Sequence, residues 1–254
     1  MDCEFRPDEL TDDGFLDGRL KILQPREGYR ASMDPVLLAA AVRAKPGESV
    51  LELGCGVGVA SLCLASRVSE VKISGVEMQS GYATLARQNA ARNGFVFDVY
   101  TGDVSDLPAR LRAMVFDQVI ANPPFFPGGA GTPADDEGRE FAQRESTPLA
   151  DWIATGLRRL RPGGWLTMIQ AADRLPDLLV NLTQGVGNIC ILPISSRVGR
   201  PAGRVILRAR KDGRTPFSLA APLILHDGPS HIQDGDDLSA LARAILRDGA
   251  PVTF

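Results

Sequence analysis

Short apolar runs alternate along most of this chain with segments whose apolar residues recur every three or four positions. These are the signatures of buried strands and of amphipathic helices. Runs at 50–53, 71–77, 96–100, 114–121, 165–170, 188–194 and 204–210 predict seven strands. Helical spacing fills the intervals at 59–68, 80–94, 148–160 and around 174–184. Strands alternating with helices predict an α/β fold with a doubly wound, mainly parallel sheet covered on both faces. Only a loop joins the last two strands, too short for a helical crossover, so the final strand is expected to pair antiparallel.

The ends are less regular. Residues 1–18 carry seven acidic side chains against one basic, Arg6, without periodic apolar positions, and read as a loose tail. The stretch GRLKILQP then reads as a strand or hairpin, and Asp34-Pro35 as the N-cap and first-turn proline of a helix. The tail 212–254 holds a possible hairpin and a helix over 237–249. The expected organisation is an N-terminal strand and helix cap (1–45), a central domain (46–211) and a C-terminal addition (212–254) packed on it.

Composition excludes more than it identifies. The chain has 254 residues with 44% apolar, a normal globular value, and no apolar run of 18 residues, so no spanning helix is expected. The acidic start lacks the apolar core of a signal peptide, so a cytoplasmic location is expected. Cys3, Cys55, Cys63 and Cys190 form no metal-binding or disulfide pattern, and His226 and His231 are the only histidines. No metal is therefore expected. The net charge of -3 argues against a polyanion-coating protein and leaves local patches open. It gives no guide to oligomeric state.

The first chemical candidate is Glu52-Leu53-Gly54-Cys55-Gly56-Val57-Gly58, between the first strand and its helix. Glycines there let the backbone turn tightly and approach a ligand, with helix N–H groups free for an anionic group. Val59 stands where a dinucleotide fingerprint needs its third glycine, which disfavours NAD and FAD. The ExGxGxG pattern resembles the first motif of the class I S-adenosylmethionine-dependent methyltransferases, which are Rossmann-like. The resemblance implies that Glu52 helps hold the methionine end of that cofactor while Gly54, Cys55, Gly56 and Gly58 line it. Glu77, at the end of the second strand, is placed to accept both ribose hydroxyls. Met78 follows it, and Asp103 and Val104 match the position that meets the adenine.

Asn122-Pro123-Pro124-Phe125 follows the fourth strand, on the same sheet edge as the glycine loop. Consecutive prolines fix the backbone and supply carbonyls without N–H groups. The Asn122 side-chain oxygen and the Pro123 carbonyl can each accept one N–H of an amino group. Phe125 can stack on the ring that bears it. The tetrapeptide resembles the fourth motif of amino-group methyltransferases acting on adenine-N6, guanine-N2 or protein glutamine. It disfavours metal-dependent catechol-type O-methyltransferases.

The upstream segment GYRASMDPVLLAAAV, NPPFF with its second aromatic Phe126, and the basic last strand together resemble the bacterial tRNA adenine-N6 methyltransferases of valine tRNA. The resemblance runs from about residue 13 to 211 and implies that Tyr29, Arg30 and Asp34 lie near the methionine end of the cofactor. Between residues 197 and 214 stand seven basic residues and one acidic, a local +6. Arg197, Arg200, Arg204 and Arg208, with Phe126, are candidates for RNA contact. The long loop 126–146 is a candidate lid. The expected activity is methylation of an exocyclic amine of an RNA base, adenine-N6 in a tRNA. The alternatives are a guanine-N2 ribosomal RNA enzyme, a protein-glutamine N5-methyltransferase, a small-molecule methyltransferase and a non-catalytic RNA-binding module.

Overall fold

A computed structural model describes residues 5–124, 126–127, 144–145, 147–182, 185–228 and 237–254. Its elements in chain order are β1 (Leu10–Phe15), β2 (Leu20–Pro25), α1 (Met33–Ala41), β3 (Ser49–Leu53), α2 (Val59–Arg67), β4 (Lys72–Glu77), α3 (Ser80–Arg92) and β5 (Phe97–Thr101). After them come α4 (Ala109–Arg112), β6 (Phe116–Ala121), β7 (Phe126–Pro127), β8 (Arg144–Glu145), α5 (Leu149–Arg159), β9 (Leu160–Ala171) and α6 (Leu175–Val180). The series closes with β10 (Val186–Ser195), β11 (Ala202–Lys211), β12 (Ser218–Leu219), β13 (Leu223–Ile224) and α7 (Ala240–Asp248).

Among the described residues one nine-stranded sheet runs β12-β10-β11-β9-β6-β3-β4-β5, with β13 also on β10. The seven strands expected from the sequence form its body, and β11 is antiparallel to both β9 and β10. The C-terminal ends of β3, β4, β6 and β9 therefore meet at one edge, and the antiparallel β11 brings its N-terminal end there. Two apolar layers flank the sheet. One face packs Val50, Ile120, Ile169 and Ile206 with α1, α2, α3 and α7. The other packs Leu53, Val119, Leu166 and Leu207 with α5 and α6. Buried on both faces, the central strands need no polar alternation, which is why they read as continuous apolar runs.

The ends differ from the sequence expectation. Residues 10–15 are a strand paired antiparallel with β2, not a loose tail. Its acidic residues are held by distant cations: Asp12 by Arg92 at 2.5 Å and Asp13 by Arg30 at 2.6 Å. Helix α1 starts at Met33 behind Ser32, so Asp34 lies inside the first turn rather than capping it. Strand β9 begins at Leu160, and the RPGG segment is absorbed as a bulge between Phe116 and Gln118 of β6. In the C-terminal addition, β12 and β13 do not form a hairpin. Each pairs parallel with β10. Ser239 caps α7 by accepting from the Ala242 N–H at 3.1 Å.

Candidate active site

That edge of the sheet holds a cavity lined among others by Tyr29, Glu52, Gly54, Cys55, Gly56, Glu77, Met78, Val104 and Asn122. The loop after β3 passes through three left-handed glycines, Gly54 (φ +62°), Gly56 (φ +52°) and Gly58 (φ +91°). A Cβ on Gly54 would stand 2.5 Å from Cη2 of Trp152, so the indole packs against bare backbone. Gly58 does not line the cavity; it caps α2 and turns the chain into the helix.

Glu77 ties down the glycine loop, and Glu52 the helix that follows it. Glu77 accepts the Gly56 N–H on Oε2 and the Gln79 N–H on Oε1, each at 2.9 Å. Each oxygen keeps a further lone pair. Glu52 accepts from the Ser61 N–H at 3.1 Å and from its hydroxyl. Burial pushes the Glu52 carboxyl up to about 8 and raises Glu77 as well, because ionised carboxylates lose hydration there. Tyr29 stands over Gly56, its backbone N–H donating to the Tyr82 hydroxyl at 2.9 Å.

Asn122 and Pro124 form the opposite wall. Asn122 Oδ1 is buried and accepts no hydrogen bond among the described residues. A buried acceptor left unpaired costs about 1–3 kcal/mol. Phe125 and the side chain of Phe126 lie outside the described residues, as does most of the loop 126–146.

Several expected contacts are engaged elsewhere. Arg30 donates to Thr11 Oγ1 at 2.8 Å, to the Pro25 carbonyl at 2.7 Å and to Asp13 at 2.6 Å, binding the β1–β2 hairpin instead of facing the cavity. Asp34 pairs with Arg204 at 2.6 Å, and its neighbour Pro35 lines the cavity in its place. Asp103 turns its carboxylate back on the Ser105 N–H and hydroxyl, both at 2.7 Å.

The basic strand also needs correction. Arg208 is only 2% exposed and its guanidinium lies 4.4 Å from the centre of the Trp165 ring, so it cannot meet a phosphate. Arg197 is tied to Asp237 and to the Asp227 carbonyl. Lys211 donates to the Leu157 and Leu160 carbonyls at 2.9 and 2.8 Å. The run does not form one patch either. A strand rises about 3.3 Å per residue, so the ten residues of β11 separate Arg204 at the catalytic edge from Arg210 and Lys211 at the far edge. Arg200 remains exposed in the β10–β11 turn, on the catalytic side.

The sequence reading missed Trp152, Thr147, Pro35 and Gln79 in the lining. Trp152 lies in an amphipathic helix and reads there as plain core.

Residues 33–189 match the methyltransferase small domain family. The chain belongs to that family. A tRNA1(Val) (adenine(37)-N6)-methyltransferase from Porphyromonas gingivalis is 34% identical over 66% of this chain and 69% of its own. One of the same name from Dickeya chrysanthemi is 26% identical over 94% of each chain. A crystal structure from Agrobacterium tumefaciens, titled a predicted O-methyltransferase, superposes with a TM-score of 0.69. It is 25% identical and covers 87% of this chain and 98% of that one. The protein is thus a methyltransferase with a Rossmann-like sheet, and its cofactor is S-adenosylmethionine. The residues present fit that group: a cavity lined by the glycine loop, a backbone cradle at Gly54 and Gly56, and two carboxylates among its walls.

Proposed function

We propose that this methyltransferase acts on an exocyclic amino group of an RNA base, adenine-N6 in a tRNA. The observation that carries the reading is the orphaned Oδ1 of Asn122 in the cavity wall, an acceptor waiting for a donor. An amino group has two N–H donors, and the Pro123 carbonyl, 3.4 Å from Gln170 Nε2, would take the second on its remaining lone pair. Held on both hydrogens, the nitrogen keeps its lone pair directed at the methyl carbon. S-adenosylmethionine supplies an electrophilic methyl group on a sulfonium. Glu77 would hold its ribose hydroxyls and Glu52 its ammonium group, with Met78 and Val104 bordering the adenine. The nitrogen becomes acidic once alkylated, so no strong base is required.

The choice of adenine in a tRNA is supported by the relatives named for that reaction. Arg200, exposed at the catalytic edge, offers a cation to the RNA backbone. An anticodon loop exposes unstacked bases, which a site of this depth needs. Such a substrate places the activity in the cytoplasm. Residues 46–211 act as the catalytic domain, with 1–45 and 212–254 as additions packed on it.

The test is incubation with labelled cofactor and total RNA from a strain lacking this protein, followed by nucleoside digestion. Label in N6-methyladenosine from tRNA is expected. Label in a guanosine, or in protein alone, would overturn the base assignment.

A further inference from the structure

The two prolines after Asn122 create a local problem. Strand β6 pairs with β9 as far as Ala121 opposite Met168. Beyond that point Pro123 and Pro124 have no N–H, so the ladder cannot continue from their side. Strand β9 nevertheless runs on, pairing Gln170 and Ala171 with Val205 and Arg204 of β11. The Gln170 side chain takes over on the abandoned side. Its Nε2 lies 3.2 Å from the Pro124 carbonyl and 3.4 Å from the Pro123 carbonyl. Its Oε1 accepts the Ala171 N–H at 2.8 Å, which fixes the amide's orientation and directs the NH2 at the loop. Gln170 is fully buried.

We infer that Gln170 is a positioning residue for methyl transfer, one that aims the Pro123 carbonyl and the Asn122 side chain at the acceptor amine. The inference rests on the amino-group reading given above. A carbonyl oxygen has two lone pairs. Gln170 takes at most one of those on the Pro123 oxygen, so the second can accept from the substrate. The long 3.4 Å contact restrains the carbonyl without competing strongly for it. Each ring fixes its own φ and Pro124 confines Pro123 to extended ψ, so the freedom left to the two carbonyls is small, and Gln170, bonded to both, is placed to remove it. Gln170 is not among the residues that line the cavity, so its substitution is expected to leave cofactor affinity unchanged.

The test compares Gln170→Glu, Gln170→Leu and Asn122→Ala with the unchanged protein. Three readouts are taken: steady-state methylation of tRNA from a strain lacking the protein, S-adenosylhomocysteine affinity by calorimetry, and thermal melting. Gln170→Glu is expected to lower kcat by about 10- to 100-fold, as for a small misplacement of a reacting group. KM for RNA and the cofactor Kd should stay within about twofold. An ionised Glu repels both carbonyls, whereas a protonated one donates an O–H. The activity of Gln170→Glu relative to the unchanged protein should therefore climb as pH falls. Gln170→Leu should stay low at every pH. A purely structural role would instead lower melting temperature and cofactor affinity together and give both variants the same pH profile, and that outcome overturns the inference. If Asn122→Ala alone leaves kcat unchanged, the amino-group reading fails. If Asn122→Ala loses activity while Gln170→Glu keeps it at neutral pH, only the positioning role fails.

Discussion

The guanidinium of Arg208 lies over the Trp165 ring, 4.4 Å from its centre, and 5.7 Å from the centre of the Phe254 ring. Its Nε and one Nη find no hydrogen-bond acceptor among the described residues, and burial pulls its pKa down to about 10. A cation held by aromatic faces gains up to about 2 kcal/mol, which only partly offsets its lost hydration. The side chain therefore contributes mainly as packing volume. Arg208→Met should keep stability within about 1 kcal/mol, while Arg208→Ala leaves a void and should cost roughly 2–4 kcal/mol. Urea melts distinguish the two. Equal losses for both would mean that the charge itself matters.

A backbone constraint underlies the second prediction. Gly54 combines φ +62° with a missing Cβ whose place is taken by Trp152. Gly54→Ala should weaken S-adenosylhomocysteine binding more than about tenfold, because the indole or the loop must shift. Adding Trp152→Leu restores room but not the left-handed φ, whose cost of about 1 kcal/mol remains. Rescue should thus be partial, as calorimetry on the double variant would show. Full rescue would remove the strain argument.

The pH dependence of cofactor binding follows from Glu52. An unfolded glutamate titrates at about 4.3, whereas burial holds Glu52 protonated up to about 8 in the free protein. Between those values the folded state binds the extra proton, so its stability falls as pH rises and levels off above about 8. The cofactor's ammonium favours the ionised form. Binding should therefore release a proton and tighten from about pH 5 to pH 8. Calorimetry of S-adenosylhomocysteine in buffers of different ionisation enthalpy measures that release, which Glu52→Gln should abolish. Affinity independent of pH across this range would contradict the role of Glu52.

What the sequence disclosed divides along physical lines. Gly54, Gly56 and Glu77 were legible because a left-handed turn and a strand-end carboxylate leave local marks. The seven strands were legible because burial on both faces removes polar positions. Strand β1 was hidden: its acidic residues are neutralised by Arg30 and Arg92, far away in the chain. Arg204, Arg208 and Arg210 alternate as a solvent-facing strand does, yet Phe254 lies near Arg208 and Asp34 of α1 holds Arg204, and of the three only Arg210 is exposed. Gln170 left no mark, since its role exists only where β9 outruns β6.

Asn122→Ala tests the acceptor itself. Oδ1 makes no other bond among the described residues, so its removal should leave the fold and the cofactor Kd unchanged. Transfer should fall about 100-fold or more, as for loss of one preorganised hydrogen-bonding group. Single-turnover rates with labelled cofactor give the measurement. A parallel fall in cofactor affinity would assign Asn122 to cofactor binding instead.

The uneven placement of the basic residues yields the last prediction. Arg200 is exposed in the β10–β11 turn at the catalytic edge, whereas Arg214 is exposed beyond the far end of β11. If the RNA enters over Asn122, only the first is within reach of its backbone. Arg200→Glu should raise KM for tRNA several-fold and flatten the salt dependence by about one phosphate contact. Arg214→Glu, identical in charge change, should leave both almost unaltered. The pair separates local contact from general electrostatic attraction, because net charge shifts equally in each. Equal effects would mean that the RNA is drawn by the overall field, and that the catalytic edge holds no dedicated phosphate contact at Arg200.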